Sequence, residues 1–316
     1  MPLITLFSAP KPFTDRHIAM IQRNAIKSWT LLPNVEVILL GEEDGLAEAA
    51  HQLGVRVLPH VARNTNGTPL ISSMINLARK NSTSLLLSII NADMILQPDF
   101  VESAKQVLNL ETDNLLSKSQ KQLSGLKSFV LLSQRWDLDV IQPIEFTEGW
   151  QERLCARVKK DGELHKPAGS DFFIFPLSSY PNVPDFAIGR AGWDNWMIYK
   201  ARQEKWPVID CTPSMMAIHQ NHDYSHLPGG QPHYLHPETE INIRLAGGQA
   251  AVRYSILDAT ARFENGKLTR PAMSYLRFMR GVELFLRAIF FFLPENMIEN
   301  IARPKRWKKR IQKLFK

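Results

Sequence analysis

The stretch that most constrains the fold is residues 84–94, an apolar run that ends in polar side chains. An apolar segment of this length between polar flanks predicts a strand buried on both faces of a parallel sheet. Ligands of such sheets bind at the carboxyl ends of the strands, where Asn91 and Asp93 follow. Because residues two apart in an extended segment share a face, both side chains are predicted to meet one ligand. An ordinary Asn-x-Asp turn, bonded to its own backbone, is the alternative interpretation.

Strands and helices alternate ahead of this segment. Strands are predicted at residues 3–7, 35–40 and 55–58, and helices at 14–29 and 46–53 lie between them. This βαβαβ order is typical of an α/β fold with a mostly parallel central sheet flanked by helices. The predicted fold class is therefore α/β with a Rossmann-like sheet.

Composition fits a globular protein with a large core. The chain has 316 residues, of which 44% are hydrophobic and 22% charged. Cys155 and Cys211 are too few for a disulfide framework, which favours a reducing compartment. The first ten residues place no basic region before an apolar run, so they are not expected to be a secretory signal.

Phosphate-binding fingerprints are missing from the sequence. Neither Gly-x-Gly-x-x-Gly nor a P-loop follows any predicted strand, which argues against a dinucleotide site of that type. Instead, Thr68 and Pro69 precede a helix predicted from Leu70 to Lys80, whose free N–H groups are suited to a phosphate. A plain helix start, with Thr68 as the N-cap and Pro69 at the first turn, explains the same residues.

The second half carries more polar chemistry. Asp171 comes directly before an aromatic strand, and Asp194 opens a helix in the segment Gly-Trp-Asp-Asn-Trp. Asp194 is a candidate catalytic base, and a helix N-terminus is expected to lower its pKa, although simple capping would also place an acid there. Five of the nine histidines fall between His219 and His236. They are candidate metal ligands or packed, hydrogen-bonded residues.

These pieces together resemble the nucleotide-sugar glycosyltransferases of the GT-A fold, family 2 among them. The resemblance covers roughly residues 3–226 and rests on the order of four features. They are the Rossmann-like first half, Asn91-Ala92-Asp93 in place of an Asp-x-Asp motif, the Asp194 segment and the His219 segment. The sequence departs from the pattern at Asn91, and the lost negative charge is expected to weaken metal binding.

The resemblance implies a role for each candidate residue. Asp93 and His219 would bind Mn²⁺ or Mg²⁺, with His222 in reserve and Asn91 touching the ion, the ribose or a bridging water. Asp194 would be the catalytic base, while Asp171 would bind sugar hydroxyls or replace it as the base. The expected nucleotide-binding residues are Ser8, Ala9 and Pro10, with Glu42 or Asp44 bonding the base or ribose, and Thr68 and Arg23 are weaker candidates. Residues 1–110 would bind the nucleotide-sugar, and residues 111–240 would bind the acceptor and carry the catalytic groups.

Residues 241–316 are predicted to form a helical extension that ends in a basic tail. Residues 303–316 contain eight Lys or Arg and no acid, which accounts for the net charge of +7 and leaves the remainder near neutral. Trp307, Ile311, Leu314 and Phe315 would form an apolar stripe on a cationic helix, a pattern typical of helices that lie on anionic lipid. A solubilising or RNA-binding basic end is the alternative interpretation.

The sequence therefore favours a metal-assisted glycosyltransferase that is cytoplasmic and peripherally membrane-associated. Its predicted partners are a UDP- or GDP-sugar, a saccharide or lipid-linked acceptor and an anionic membrane surface, but no specific nucleic acid. A nucleotidyltransferase is a second hypothesis, although residues 8–12 make a poor triphosphate loop. A non-catalytic nucleotide-sugar-binding module is a third, suggested by Asn91.

Overall fold

The computed structural model describes residues 1–110, 128–222, 236–289 and Met297. Within these residues the chain forms two compact units, 1–270 and 271–316. The polar segment 110–127, whose composition favours a surface helix or excursion, and the basic tail lie outside the described residues except for Leu110.

The first unit is built on a nine-stranded central sheet. Its strands, in spatial order, are β13 (Lys267–Thr269), β12 (Ala261–Glu264), β10 (Val208–Asp210), β6 (Val130–Leu132), β9 (Phe172–Pro176), β4 (Leu86–Ile90), β1 (Ile4–Ser8), β2 (Val35–Leu40) and β3 (Arg56–Leu58). Most neighbours run parallel, whereas β9 runs antiparallel to both β4 and β6, and β13 antiparallel to β12. The predicted α/β class with a mostly parallel sheet is confirmed.

Helices pack against both faces of this sheet, because every residue of β1 and β4 is buried and needs cover on both sides. In chain order the helices of the first unit are α1 (Arg16–Thr30), α2 (Leu46–Leu53), α3 (Ile71–Asn81), α4 (Pro98–Asn109), α5 (Trp150–Asp161), α6 (Trp193–Gln203) and α7 (Pro237–Leu245). Two separate hydrophobic clusters result, one on each face.

A second, four-stranded sheet holds part of the polar site. Its order is β5 (Met94–Ile95), β11 (Ala217–Gln220), β7 (Arg135–Leu138) and β8 (Glu163–Leu164). Trp29 of α1 anchors this sheet, because its buried indole Nε1 donates to the carbonyl of Met94 at 2.8 Å. The chain thus leaves β4, turns, and enters the second sheet within four residues.

Strands β12 and β13 belong to a region that the sequence analysis assigned to the helical extension. In the structure they extend the central sheet beyond β10. Buried Ala261 and Phe263 alternate with half-buried polar residues along β12, so one face of this strand packs into the core. The second unit contains α8, Tyr275–Ile289.

Candidate active site at the carboxyl ends of the strands

Asn91 and Asp171 are brought together by the pairing of β4 with β9. These strands are antiparallel, and Ile90 at the end of β4 lies opposite Phe172 at the start of β9. The Asn91 backbone N–H therefore donates to the Asp171 carbonyl at 2.9 Å, and Asn91 Nδ2 donates to Asp171 Oδ1 at 2.9 Å. The amide nitrogen of Asn91 is thus bonded to this carboxylate.

Asp93 faces a different set of side chains from Asn91, which corrects the expectation that both share one face. The chain stops being extended after Ile90, and the Met94 N–H turns back to the Asn91 carbonyl at 3.3 Å. Asp93 Oδ2 then lies 3.2 Å from His222 Nε2 and 3.8 Å from His219 Nε2. The backbone thus turns here, but the two side chains bond to Asp171 and His222 rather than to their own backbone as the alternative interpretation expected.

The second sheet explains why the histidines meet Asp93. In β11, His219 pairs with Met94 of β5 on one side and with Asp137 of β7 on the other. The His219 Nδ1 atom lies 3.2 Å from Asp137 Oδ1, which leaves Nε2 directed toward Asp93. His219 is therefore flanked by two carboxylates.

Asp137 connects this cluster to Asp171 through a partly buried ion network. Its carboxylate binds His165 Nδ1 at 2.5 Å and Arg135 Nε at 2.8 Å. The Arg135 guanidinium also donates to Asp171 Oδ1 at 2.7 Å. Sequence reasoning missed Arg135, Asp137 and His165, although their positions after the buried strand β6 were a signal for the first two.

Burial alone would raise the pKa of Asp93, but the charge of His219, a hydrogen bond from His222 and the charge of Lys11 hold it well below its usual range. Burial would likewise lower the pKa of His219, yet Asp93 and Asp137 raise it above its ordinary value. Both shifts favour the charged forms of the two side chains.

Asp93, His219 and His222 together suit a divalent cation. Each offers one ligand atom, and these atoms lie within 4.8 Å of one another. The second oxygen of Asp93, Oδ1, is buried and has no hydrogen-bond partner in the described part of the chain. Since a buried carboxylate oxygen without a partner is costly, this atom fits a ligand that the protein itself does not supply.

Asp194 lies in the first turn of α6, near Asp171. Its Oδ2 accepts from the Ser170 backbone N–H at 3.3 Å, so it also supports the turn that leads into β9. Burial raises the pKa of Asp194, and the negative charge of Asp171 raises it further. The expectation of a lowered pKa was wrong, because burial outweighs the backbone N–H donors at the helix start.

The expected nucleotide-binding side chains are not gathered into one group. Ser8 Oγ donates to the Ile90 carbonyl at 2.7 Å and so joins the ends of β1 and β4. Glu42 is exposed and pairs with His60, whereas Thr68 Oγ1 donates to the buried Glu238 at 3.2 Å. Thr68 is therefore not the N-cap of α3, which is Leu70.

The loop after β1, which contains Ala9 and Pro10, is held in place beside the site. Lys11 N–H donates to Gln22 Oε1 at 2.6 Å, and Gln22 Nε2 donates to the Lys11 carbonyl at 3.0 Å. The Lys11 charge acts on Asp93, so this loop contributes a cation that sequence reasoning missed.

Glu43, rather than Glu42, is the acid that turns inward at the end of β2. Its side chain is only 11% exposed, pairs with Arg63 at 2.6 Å and has one buried oxygen without a hydrogen-bond partner among the described residues. This arrangement needs Gly41, where a Cβ would come within 2.1 Å of Glu43 Oε2. His226, the third histidine of the predicted cluster, lies outside the described residues.

Fold and site together define an α/β protein whose polar groups converge at the carboxyl ends of a mostly parallel sheet. No protein-family model matches the chain. The search of curated proteins likewise found no match.

Two solved structures to which the chain is similar are described as a sugar transferase and a sugar-phosphoglycerate synthase. One is the mannosyltransferase PcManGT from Pyrobaculum calidifontis in complex with GDP-Man and Mn²⁺, with a TM-score of 0.40, 12% identity and coverage of 69% of this chain. The matched part spans only 56% of the mannosyltransferase. Another is glucosyl-3-phosphoglycerate synthase from Mycobacterium tuberculosis in complex with Mg²⁺ and uridine-diphosphate. Its TM-score is 0.43 and its sequence identity 14%, and the match covers 86% of this chain and 87% of the synthase. These are distant likenesses, and the fold is defined by this chain's own strand order and register.

Proposed function

We propose that this protein is a glycosyltransferase that moves a sugar, most simply a hexosyl group, from a UDP- or GDP-sugar to a saccharide or lipid-linked acceptor with the help of Mn²⁺ or Mg²⁺. The observation that carries the proposal is the cluster of Asp93, His219 and His222, in which a buried carboxylate oxygen has no hydrogen-bond partner among the described residues. The cluster lies just beyond the carboxyl end of a central strand, where open α/β sheets bind ligands.

The cluster is suited to the leaving group of this reaction. Asp93, His219 and His222 would hold the cation, which supplies positive charge to neutralise the diphosphate as the glycosidic bond breaks. Lys11 adds a second positive charge on the same side. Ser8 and Pro10 bracket the loop that would approach the nucleotide, with Glu42 and Thr68 as the weaker contacts.

The acceptor half of the reaction requires a base and a way to hold the sugar. Asp194 is the proposed base, because its raised pKa makes it a better proton acceptor than an ordinary aspartate once it is ionised. Asp171 is bound by Arg135 and Asn91, so it is better suited to position sugar hydroxyls than to take a proton. Residues 1–110 and 111–240 would thereby divide the donor and acceptor roles.

A turnover assay of the full chain tests the proposal. Nucleoside diphosphate release would be measured with a panel of UDP- and GDP-sugars in the presence of Mn²⁺, Mg²⁺ or EDTA. We expect nucleoside diphosphate to be released from at least one donor, and we expect EDTA to abolish this release. Pyrophosphate release from a nucleoside triphosphate and a sugar phosphate would instead favour a nucleotidyltransferase, and donor binding without turnover would favour a non-catalytic module.

We also propose peripheral association with an anionic, cytoplasmic membrane surface. The described part of the chain contains no helix suited to crossing a membrane. Helix α8 nevertheless exposes five large apolar side chains: Tyr275, Leu276, Phe278, Phe285 and Ile289. Its Arg280 and Glu283 are buried and paired at 3.2 Å, so the polar side of this helix is turned away from solvent. An apolar surface followed by eight cations at 303–316 matches an anionic lipid surface.

Vesicle co-sedimentation tests this association. The full chain is expected to pellet with phosphatidylserine-containing vesicles and to stay in solution with neutral phosphatidylcholine vesicles. Truncation after Asn300 removes the cations, each worth about 1 kcal/mol near such a surface, and should abolish most of the pelleting. A Phe278→Ser/Phe285→Ser variant should weaken pelleting without changing its dependence on salt. Unchanged pelleting of the truncated chain would refute the proposal.

A further inference from the structure

We infer that Glu238, in the first turn of α7, is a positioning residue that joins the donor half of the site to the loop before Asp194 and so fixes where this base stands. The inference rests on the proposed function, in which residues 1–110 bind the donor and Asp194 is the base. It starts from a residue that is 1% exposed and is not one of the side chains grouped around the cation site. A buried carboxylate needs partners, and those of Glu238 come from both halves of the site.

Glu238 accepts hydrogen bonds from two segments that are far apart in the chain. Its Oε1 accepts from the side-chain amides of Asn64 and Asn66, the second at 3.3 Å. Its Oε2 accepts from Thr68 Oγ1 at 3.2 Å and from Arg190 Nε at 2.8 Å. Burial would raise the pKa of Glu238, but these hydrogen bonds and the charge of Arg190 lower it below its ordinary value. The ionised carboxylate is therefore the form that holds the two segments together.

The segment on the donor side is a closed turn that keeps its three donors in place. Asn64 Oδ1 accepts from the backbone N–H groups of Asn66 and Thr68, at 2.9 and 3.0 Å. A backbone bridge between Arg63 and Pro69 closes the base of the turn. The turn leads into α3, whose buried face packs on the central sheet. Glu238 is thus bonded to a part of the chain that is fixed to the sheet.

The segment on the acceptor side is the loop 187–192, which α7 holds at a second point. Asn242, one turn after Glu238, is fully buried, and its Oδ1 accepts from the Ala187 N–H at 2.9 Å. Its Nδ2 donates to the Ala187 carbonyl at 3.0 Å. Gly192, the N-cap of α6, has a φ of 109°, and a Cβ there would lie 3.7 Å from the Cβ of Asn242. The loop therefore packs closely against α7 up to the residue before α6.

The position of Asp194 depends on this loop. Helix α6 begins at Trp193, so Asp194 lies in its first turn, directly after the segment that α7 holds. A general base must come within about 3 Å of the proton that it takes, and a misplacement of about 1 Å costs on the order of 100-fold in rate. The cation ligands lie elsewhere, on the turn after β4 and in and after β11. Loss of the Glu238 carboxylate should therefore lower kcat and leave donor and metal binding intact.

Glu238→Gln in the full chain tests the inference, and Glu240→Gln is the matched control. The amide turns one acceptor oxygen into a donor that faces other donors, whereas Glu240 is an exposed acid in the same helical turn. We expect Glu238→Gln to lower kcat about 10- to 100-fold, with unchanged KM for the donor and unchanged Mn²⁺ affinity by calorimetry. Amide hydrogen exchange, measured by mass spectrometry, should rise severalfold in peptides that cover residues 184–196 but not in those that cover 84–94. Glu240→Gln should match the wild type in every measurement.

Glu238→Gln in an Asp194→Asn background separates positioning from a merely structural role. If Glu238 acts through Asp194, its loss should cost little further activity once the base is gone, because residues that act as a unit are not additive. A structural role would lower activity by the same factor in both backgrounds. If Glu238→Gln fails to fold, as judged by circular dichroism, Arg190→Gln removes one partner from the less buried side of the ion pair. It should show the same non-additivity and the same rise in exchange.

The possible outcomes separate this inference from the proposed function. Unchanged exchange at residues 184–196 in a folded Glu238→Gln protein, or equal losses of activity in both backgrounds, would overturn the inference while wild-type turnover still supported a transferase. Absence of wild-type turnover with every donor would overturn the proposed function. The exchange measurement needs no substrate, so in that case it still decides whether Glu238 holds the loop before Asp194.

Discussion

Replacing Asp93 with alanine is expected to lower metal-dependent turnover about a thousandfold, which corresponds to roughly 4 kcal/mol of transition-state stabilisation. Asp93 is the single carboxylate among the ligand atoms of the cluster, and its depressed pKa keeps it charged at neutral pH. Without it, His219 and His222 would face each other with no negative charge between them. Nucleoside diphosphate release under saturating donor and Mn²⁺ is the measurement.

The control for this variant is Asp185→Ala, because Asp185 is an exposed aspartate whose side chain is bonded to Ser72. It should keep wild-type turnover and wild-type binding of Mn²⁺ and UDP. Thermal unfolding of both variants distinguishes lost chemistry from lost structure. Wild-type turnover and nucleotide binding in a folded Asp93→Ala protein would show that the metal assignment is wrong.

Asp194→Asn is expected to lower kcat by about a thousandfold, within the range of a lost general base, while the affinities for donor and metal stay unchanged. The amide keeps the shape of the side chain but cannot accept the acceptor's proton. The Ser170 N–H still finds an oxygen partner, so the turn before β9 should survive. Steady-state kinetics at saturating donor measures kcat, and calorimetry measures the affinities for donor and metal separately.

The pH profile provides a sharper test of the same residue. A base works only when it is ionised, so activity should be lost as the pH is lowered and Asp194 becomes protonated. Burial and the charge of Asp171 raise the pKa of Asp194, so this loss should begin at a higher pH than it would for an ordinary aspartate. This acid limb should vanish in Asp194→Asn. In Asp171→Asn it should move to lower pH, because one of the two causes of the raised pKa is removed. An unchanged acid limb in Asp194→Asn would exclude Asp194 as the base.

Local sequence patterns were sufficient for the fold class and for choosing several candidate site residues. The apolar run before Asn91 could only be a buried strand, since its side chains need cover on both faces. The polar residues that end it had to lie at the edge of the sheet where ligands bind. Asp171 and Asp194 were found in the same way, from acids placed at the start of a strand and of a helix.

Side-chain contacts that depend on strand register could not be predicted from the sequence. Nothing local indicates that β9 runs antiparallel to β4, yet this pairing binds the amide nitrogen of Asn91 to Asp171. Asp137 and Arg135 were visible only as polar residues after a strand. Their contacts with His219 and Asp171 arise from the second sheet, whose short strands carry weak patterns.

The sequence by itself determined that this chain folds around a buried central strand and that acids and histidines follow its strands, because burial and periodicity are properties of neighbouring residues. The tertiary structure alone decided which of these groups meet. It set Asp93 between two histidines, tied Asn91 to Asp171, and raised the pKa of Asp194 by burial. Distances and burial of that kind depend on segments more than a hundred residues apart in the chain, such as those of Asp93 and His222, and on the register in which their strands pair.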